Sequence, residues 1–157
     1  MNREKKSPYA NLEKLQIELP PPPQKLGLYL PCNRYRELLW ISGQGPFLNE
    51  GREFPGKVGD EVTIEAAQKA AREAALNALA VVEEYQGLDK VEKILKVVGY
   101  VNAAPTFTSH PQVIDGASEL FTQIFEDRGF HSRTAIGVNS LPLNIPVEID
   151  VLFQLAK

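Results

Sequence analysis

Cysteine is almost missing from this chain of 157 residues: Cys32 stands alone. That excludes an internal disulfide and a cysteine-rich zinc site. Histidine is scarce too, with only His110 and His131. Neither has the spacing of a metal ligand, so no metal is expected. Each borders a predicted element and reads as a turn residue, and a Ser-His-acid triad written around them carries little weight. Long apolar runs are also lacking. Nothing approaches the roughly 18 residues of a membrane span, and no apolar core follows the charged start at Met1–Lys6. The expectation is a cytoplasmic protein without a membrane partner. Basic residues are not in excess: 17 Lys+Arg face 20 Asp+Glu, a net charge of −3. This removes any general attraction to phosphate backbones and argues against nucleic acid as a partner.

What is present is an ordinary globular composition, 43% hydrophobic and 24% charged, at a length that suits one core. Residues 1–25 read as a head and residues 26–157 as the domain. In the head, Ser7 and Pro8 suit the start of a short helix over residues 7–17. The run Pro20-Pro21-Pro22-Pro23 then forms a stiff extended strap. Strands are predicted at Leu26–Leu30 and Tyr35–Ser42. A lone Gly43-x-Gly45 lacks the Lys-Ser/Thr of a phosphate loop and reads as a turn. Residues 47–60 read as a loop.

Val62–Tyr85 is the strongest helix, with Asp60 as its cap and an apolar stripe of alanines, Ile64, Val81 and Val82. Gly87 ends it. A strand follows at Val91–Val101, a helix at Pro111–Arg128, and strands at Thr134–Val138 and Val147–Leu155. The last alternates cleanly, with Val147, Ile149, Val151, Phe153 and Leu155 on one face and Glu148, Asp150, Leu152 and Gln154 on the other. The order ββαβαββ predicts a two-layer α+β domain with its helices on one sheet face. Trp40, Leu152 and Phe153 are then hard to leave in water, so self-association is expected.

Two charged residues stand out. Arg133 lies where a loop enters an apolar strand, and a guanidinium fork suits a carboxylate. Glu148 points away from the helix layer, toward the expected subunit interface. Cys32, between Pro31 and Asn33 with no evident base, reads as structural.

A resemblance connects these residues. Ser42-Gly43-Gln44 after an apolar strand, the alanine-rich helix ending near Gly87-Leu88, and Lys93–Val101 are similar to successive blocks of the RidA/YjgF family. The stretch from Arg133 through Leu141-Pro142 to Glu148-Ile149 resembles that family's C-terminal signature. The proline-rich head resembles a longer subgroup labelled endoribonuclease. The resemblance implies a chorismate-mutase-like fold and a homotrimer with a central barrel and clefts between subunits. It implies hydrolysis of reactive 2-imino or enamine acids to 2-keto acids and ammonia, with no cofactor. By that resemblance Arg133 binds the substrate carboxylate, Glu148 handles the attacking water, and Tyr29 and Gly43 shape the pocket. Ala135 stands where the family commonly has a cysteine, and its backbone N–H is left to bind substrate. Pro105 replaces a family asparagine. The partners implied are a small carboxylate-bearing metabolite and further copies of the chain. Alternatives are a trimer that binds keto acids without turnover, or an endoribonuclease that inhibits translation.

Overall fold

Alanine recurs at eight positions between residues 66 and 80, and their small side chains let a long helix lie close on its neighbours. In the computed structural model, which describes residues 7–48, 51–52 and 55–157, this helix is α2, Ile64–Tyr85. Ala67, Ala70, Ala71, Ala74, Ala75 and Ala78 are all fully buried. The cap is Thr63, whose hydroxyl accepts from the Ala66 N–H at 3.2 Å, rather than the expected Asp60. Thr63 directly precedes the first helical residue, so its oxygen reaches an unpaired amide that Asp60 is too far upstream to meet. Gly87, at φ 84, ends the helix as expected.

Helix α3, His110–Phe125, lies beside α2. It stops three residues short of the predicted end, where Glu126 turns to φ 52 and a 3₁₀ turn, Glu126–Gly129, takes over. The two helices meet at Gly116, where an added Cβ would overlap the Gln68 carbonyl oxygen of α2. Backbone cannot move aside cheaply, so Gly116→Ala is expected to cost about 2 kcal/mol. Thermal unfolding should show a Tm lower by about 4–8 °C.

The first helix, α1, spans Pro8–Lys14, with Pro8 in its first turn. Ser7 makes no side-chain cap, and Gln16 at φ 54 closes the helix early. Leu12 is buried, and the Tyr9 hydroxyl donates to Glu83 Oε2 at 2.9 Å while accepting from the Leu88 N–H. Asn11 donates to the Ile124 carbonyl at 2.8 Å. These bonds fasten α1 across both longer helices and orient the proline strap.

Two strand expectations need correction. Leu26–Leu30 is not a strand. It bends on itself, with the Leu26 N–H on the Tyr29 hydroxyl and the Tyr29 N–H on the Gly27 carbonyl. Pro31 lacks a donor to begin a ladder there, and Leu26, Leu28 and Leu30 are exposed. Tyr35–Ser42 is not one strand but a hairpin. Arg36 at φ 56 turns the chain between β1, Cys32–Tyr35, and β2, Leu38–Gln44. The expected loop over residues 47–60 contains a small hairpin of β3, Phe47–Leu48, and β4, Gly51–Arg52. Part of that loop lies outside the described residues.

Strands β5, Val91–Asn102, β6, Ser132–Val138, and β7, Val147–Leu155, complete a five-stranded sheet of order β1-β2-β7-β5-β6. Only β5 and β6 run parallel, and α3 supplies the crossover that a parallel pair requires. The inner face of β7 is buried as its alternation predicted. Phe153 belongs to this core, edge-on to Phe121 with centroids 6.3 Å apart, so it does not need a partner subunit to cover it. Trp40, in contrast, is 43% exposed on the outer face, beside half-buried Leu152. Among the described residues no helix lies on that outer face, and it carries Glu148.

Candidate active site

The pairing of β2 with β7 is interrupted. Ile41 faces Val151 and Gln44 faces Ile149, so Ser42 and Gly43 together oppose Asp150 alone. This bulge bends β2 and brings its backbone onto the Glu148 side chain. An added Cβ at Gly43 would overlap Glu148 Oε1 and lie 3.0 Å from its carboxyl carbon. Glycine is needed here for close approach, since its φ is unremarkable. In Gly43→Ala, the Glu148 carboxyl should be pushed toward water. Its pKa, followed by carbon NMR of the side-chain carboxyl, should return toward the ordinary 4.5.

Glu148 sits in a cleft of about 390 Å³. Tyr29, Gly43, Gln44 and Pro142 line it, as do Pro23 and Lys25 of the strap. Among the described residues the Glu148 carboxyl has no hydrogen-bond partner. Burial pushes its pKa up, and the neighbouring Asp150 carboxylate adds to that shift. Asp150 is itself raised by burial, an effect partly offset by the Tyr100 hydroxyl, which donates to Asp150 Oδ2 at 3.1 Å. The Asp150 carboxylate, two residues away on the same strand face, thus hinders the ionisation of Glu148. The outcome is a carboxyl able to exchange a proton with a ligand.

Arg133 is elsewhere. Glu148 pairs with Tyr100 and Tyr100 with Ile136, on the outer face. Arg133 pairs with Val97, whose side chain is buried toward the helices. Arg133 and Ala135 therefore face the helix layer from the sheet's edge strand, while Tyr29, Gly43 and Glu148 share the cleft on the other face. Within one chain the two groups do not meet.

The Arg133 guanidinium is held in place. Its Nη1 donates to Asp115 Oδ1 at 2.7 Å and to Ser118 Oγ at 3.1 Å, and Nη2 donates to the Pro111 carbonyl at 3.4 Å. The His131 Nδ1 sits 2.6 Å from the Gly129 carbonyl and so carries the proton. Nε2 then accepts from the Ser118 hydroxyl at 3.0 Å, leaving the Ser118 oxygen to accept from Arg133. Burial holds the His131 pKa below its ordinary value, and the Arg133 charge pushes the same way. The ring stays neutral beside the guanidinium. Asp115 is 46% exposed, so its ion pair is a weak one that a ligand carboxylate can displace. Among the described residues Arg133 Nε has no partner, which leaves the Nε–Nη2 edge for bidentate binding.

Sequence reasoning did not single out Lys25, Gln44, Asp115, Ser118 or Asp150. The alternation of β7 already placed Asp150 beside Glu148, but nothing in the sequence marked the bulge that aims them. His131 is no simple turn residue, since its ring anchors Ser118. Cys32 is half-buried, and burial raises its thiol pKa, as befits an unreactive residue.

The chain and its fold are similar to known proteins. The family profile described as "YjgF/chorismate_mutase-like, putative endoribonuclease" matches residues 10–155. The chain belongs to the YjgF/chorismate-mutase-like family. It is 36% identical over 148 residues to Protein TCP17 of Trypanosoma cruzi, covering 93% of this chain and 92% of that one. The solved structure of Atu1372 from Agrobacterium tumefaciens, a protein of unknown function, is 34% identical with a TM-score of 0.85. That match covers 94% and 91% of the two chains. A Shewanella oneidensis protein described as a "putative endoribonuclease" superposes with a TM-score of 0.90 at 30% identity, covering 96% and 100%. The expected fold family is thereby borne out. No helix among the described residues is long and apolar enough to cross a membrane.

Proposed function

We propose that the protein hydrolyses 2-imino acids to 2-keto acids and ammonia, at a cleft completed by two copies of the chain. The observation that carries this reading is Glu148, a carboxyl with no hydrogen-bond partner among the described residues and a raised pKa, against a glycine that leaves room at its oxygen. A homotrimer would bring the partner's edge strand, and with it Arg133, to the outer face where Glu148 waits. It would also cover Trp40 and Leu152.

The chemistry balances with water alone. Arg133 holds the carboxylate and so fixes the neighbouring imine carbon in place. Glu148 takes a proton from water as the water oxygen bonds to that carbon, the C=N π pair moves to nitrogen, and Glu148 passes that proton to the nitrogen to give the neutral carbinolamine. The carbinolamine then collapses: Glu148 takes the hydroxyl proton and delivers it to the nitrogen, the C–N bond breaks with its electron pair leaving on ammonia, and the former O–H pair forms the C=O bond. Tyr29 and Gly43 bound the pocket, and on this reading the Ala135 N–H assists Arg133 in holding the carboxylate.

RNA cleavage, the activity in the family description, is less well supported. Among the described residues Glu148 shares its cleft with a single cation, Lys25, and the chain is acidic, which suits a polyphosphate backbone poorly. The deciding experiment generates 2-iminopropanoate in situ with an amino-acid oxidase and follows its loss. Wild type should accelerate hydrolysis and Arg133→Ala should lose most of that acceleration. Equal, uncatalysed rates with both proteins would refute the deaminase. Keto-acid binding lost in Arg133→Ala, without turnover by wild type, would favour a binding protein.

A further inference from the structure

The cleft around Glu148 is built largely by chain that precedes the sheet. Pro23, Lys25, Leu26 and Tyr29 form one side of it, facing Glu148 and Pro142 across about 390 Å³. The strap is anchored through α1, by Tyr9 on Glu83 and Asn11 on Ile124, so this wall has a fixed position. Cavities of about 300 Å³ and above accommodate drug-sized ligands.

The charges are more selective than the volume. Lys25 and Glu148 are the two charged side chains lining the cleft. Among the described residues the Lys25 ammonium has no hydrogen bond or ion pair, and Pro23, Gln24 and Leu26 line the cleft beside it. An unpaired ammonium on a flexible stem suits a ligand that ends in an anion. Under the deaminase reading, on which this inference rests, Arg133 takes the carboxylate next to the imine. Lys25 is then a second cation without a counterpart on a simple monocarboxylic substrate.

We propose that the strap makes this cleft selective for dicarboxylic substrates, 2-imino acids whose side chain ends in a second carboxylate, with Lys25 as the residue that binds it. Lys25 is a specificity residue and takes no part in the proton transfers.

Binding of product-type keto acids tests this without requiring turnover. Titration calorimetry compares 2-oxoglutarate with 2-oxobutanoate on the intact wild-type protein, Lys25→Gln and Arg133→Ala. Wild type should bind the dicarboxylate about tenfold more tightly, the scale of one charge-assisted contact. Added salt should shrink that preference. In Lys25→Gln the ratio should collapse to about one. Because Lys25 is exposed, the variant should fold normally. Arg133→Ala should weaken both ligands. Equal affinities in wild type, a ratio that survives Lys25→Gln, or no binding of either acid would each overturn the proposal. Failure of the deaminase reading looks different: imines are not consumed, while the Lys25-dependent preference between keto acids persists.

Discussion

Glu148→Gln is expected to lower kcat on 2-iminopropanoate by about 10²–10⁴-fold, the usual contribution of a placed proton-transfer group. KM should change far less, because the amide keeps the shape of the side chain and Arg133 still holds the substrate carboxylate. The pH profile carries the same assignment. Glu148 must be ionised to accept the water proton, so activity should rise with pH through its pKa, which lies above the ordinary 4.5. Asp150→Asn removes the negative charge that helps to hold that pKa up, so the acid limb should move to lower pH. A limb that does not move would argue against Glu148 as the base. Stability should run the opposite way to activity. A carboxyl whose folded pKa is raised binds more protons in the native state, so its penalty is absent at low pH and grows as pH rises from about 4.5 through the folded value. Glu148→Gln should therefore melt at or above the wild-type Tm at neutral pH, and match it near pH 4. A variant that is inactive and equally or more stable cannot have lost activity by unfolding.

Mixing two inactive variants should restore activity. Arg133 and Glu148 lie on opposite faces of one chain's sheet, so on the proposed reading each complete site takes Arg133 from one copy and Glu148 from another. In a closed ring assembled at random from equal amounts of Arg133→Ala and Glu148→Gln, about one site in four receives both intact residues. After co-refolding, the mixture should show about a quarter of wild-type activity, although each variant alone is nearly dead. An additive, near-zero result with mixed oligomers present would place the whole site within one chain and remove the shared-site reading. Sedimentation should give a multiple of the 17.4 kDa chain mass, and a monomer would remove it equally.

Much of the architecture was legible because it rests on local pattern. The alternation of Val147–Leu155 carries its own facing, since side chains on a strand switch sides at every residue. The alanine stripe of α2 likewise marks its buried side. The errors fall where local preference was overridden by pairing. Leu26–Leu30 has the composition of a strand, but the edge of β2 is taken by Cys32–Tyr35 across a tight turn at Arg36. Leu26 is left to line the cleft, and Leu28 and Leu30 are exposed. Asp60 was a reasonable cap by type, but Thr63 has the better reach.

For the site, the sequence by itself determined the residue types and their order: an arginine opening one strand, a glutamate on the polar side of the last, and a glycine after the first long apolar run. The resemblance to a known family turned that order into roles. Only the tertiary structure decided which of them meet. The bulge at Ser42-Gly43 sets the carboxyl of Glu148 against a backbone with no Cβ, because one extra residue on β2 shifts its register by half a pleat. The strap brings Lys25 into the same cleft across more than a hundred residues of sequence, which no local pattern encodes. The scarcity of cysteine ruled out an internal disulfide and a cysteine-rich zinc site at the outset. Sheet pairing assigns the Glu148 carboxyl and the Arg133 guanidinium to opposite faces, and on the proposed reading a second copy reunites them.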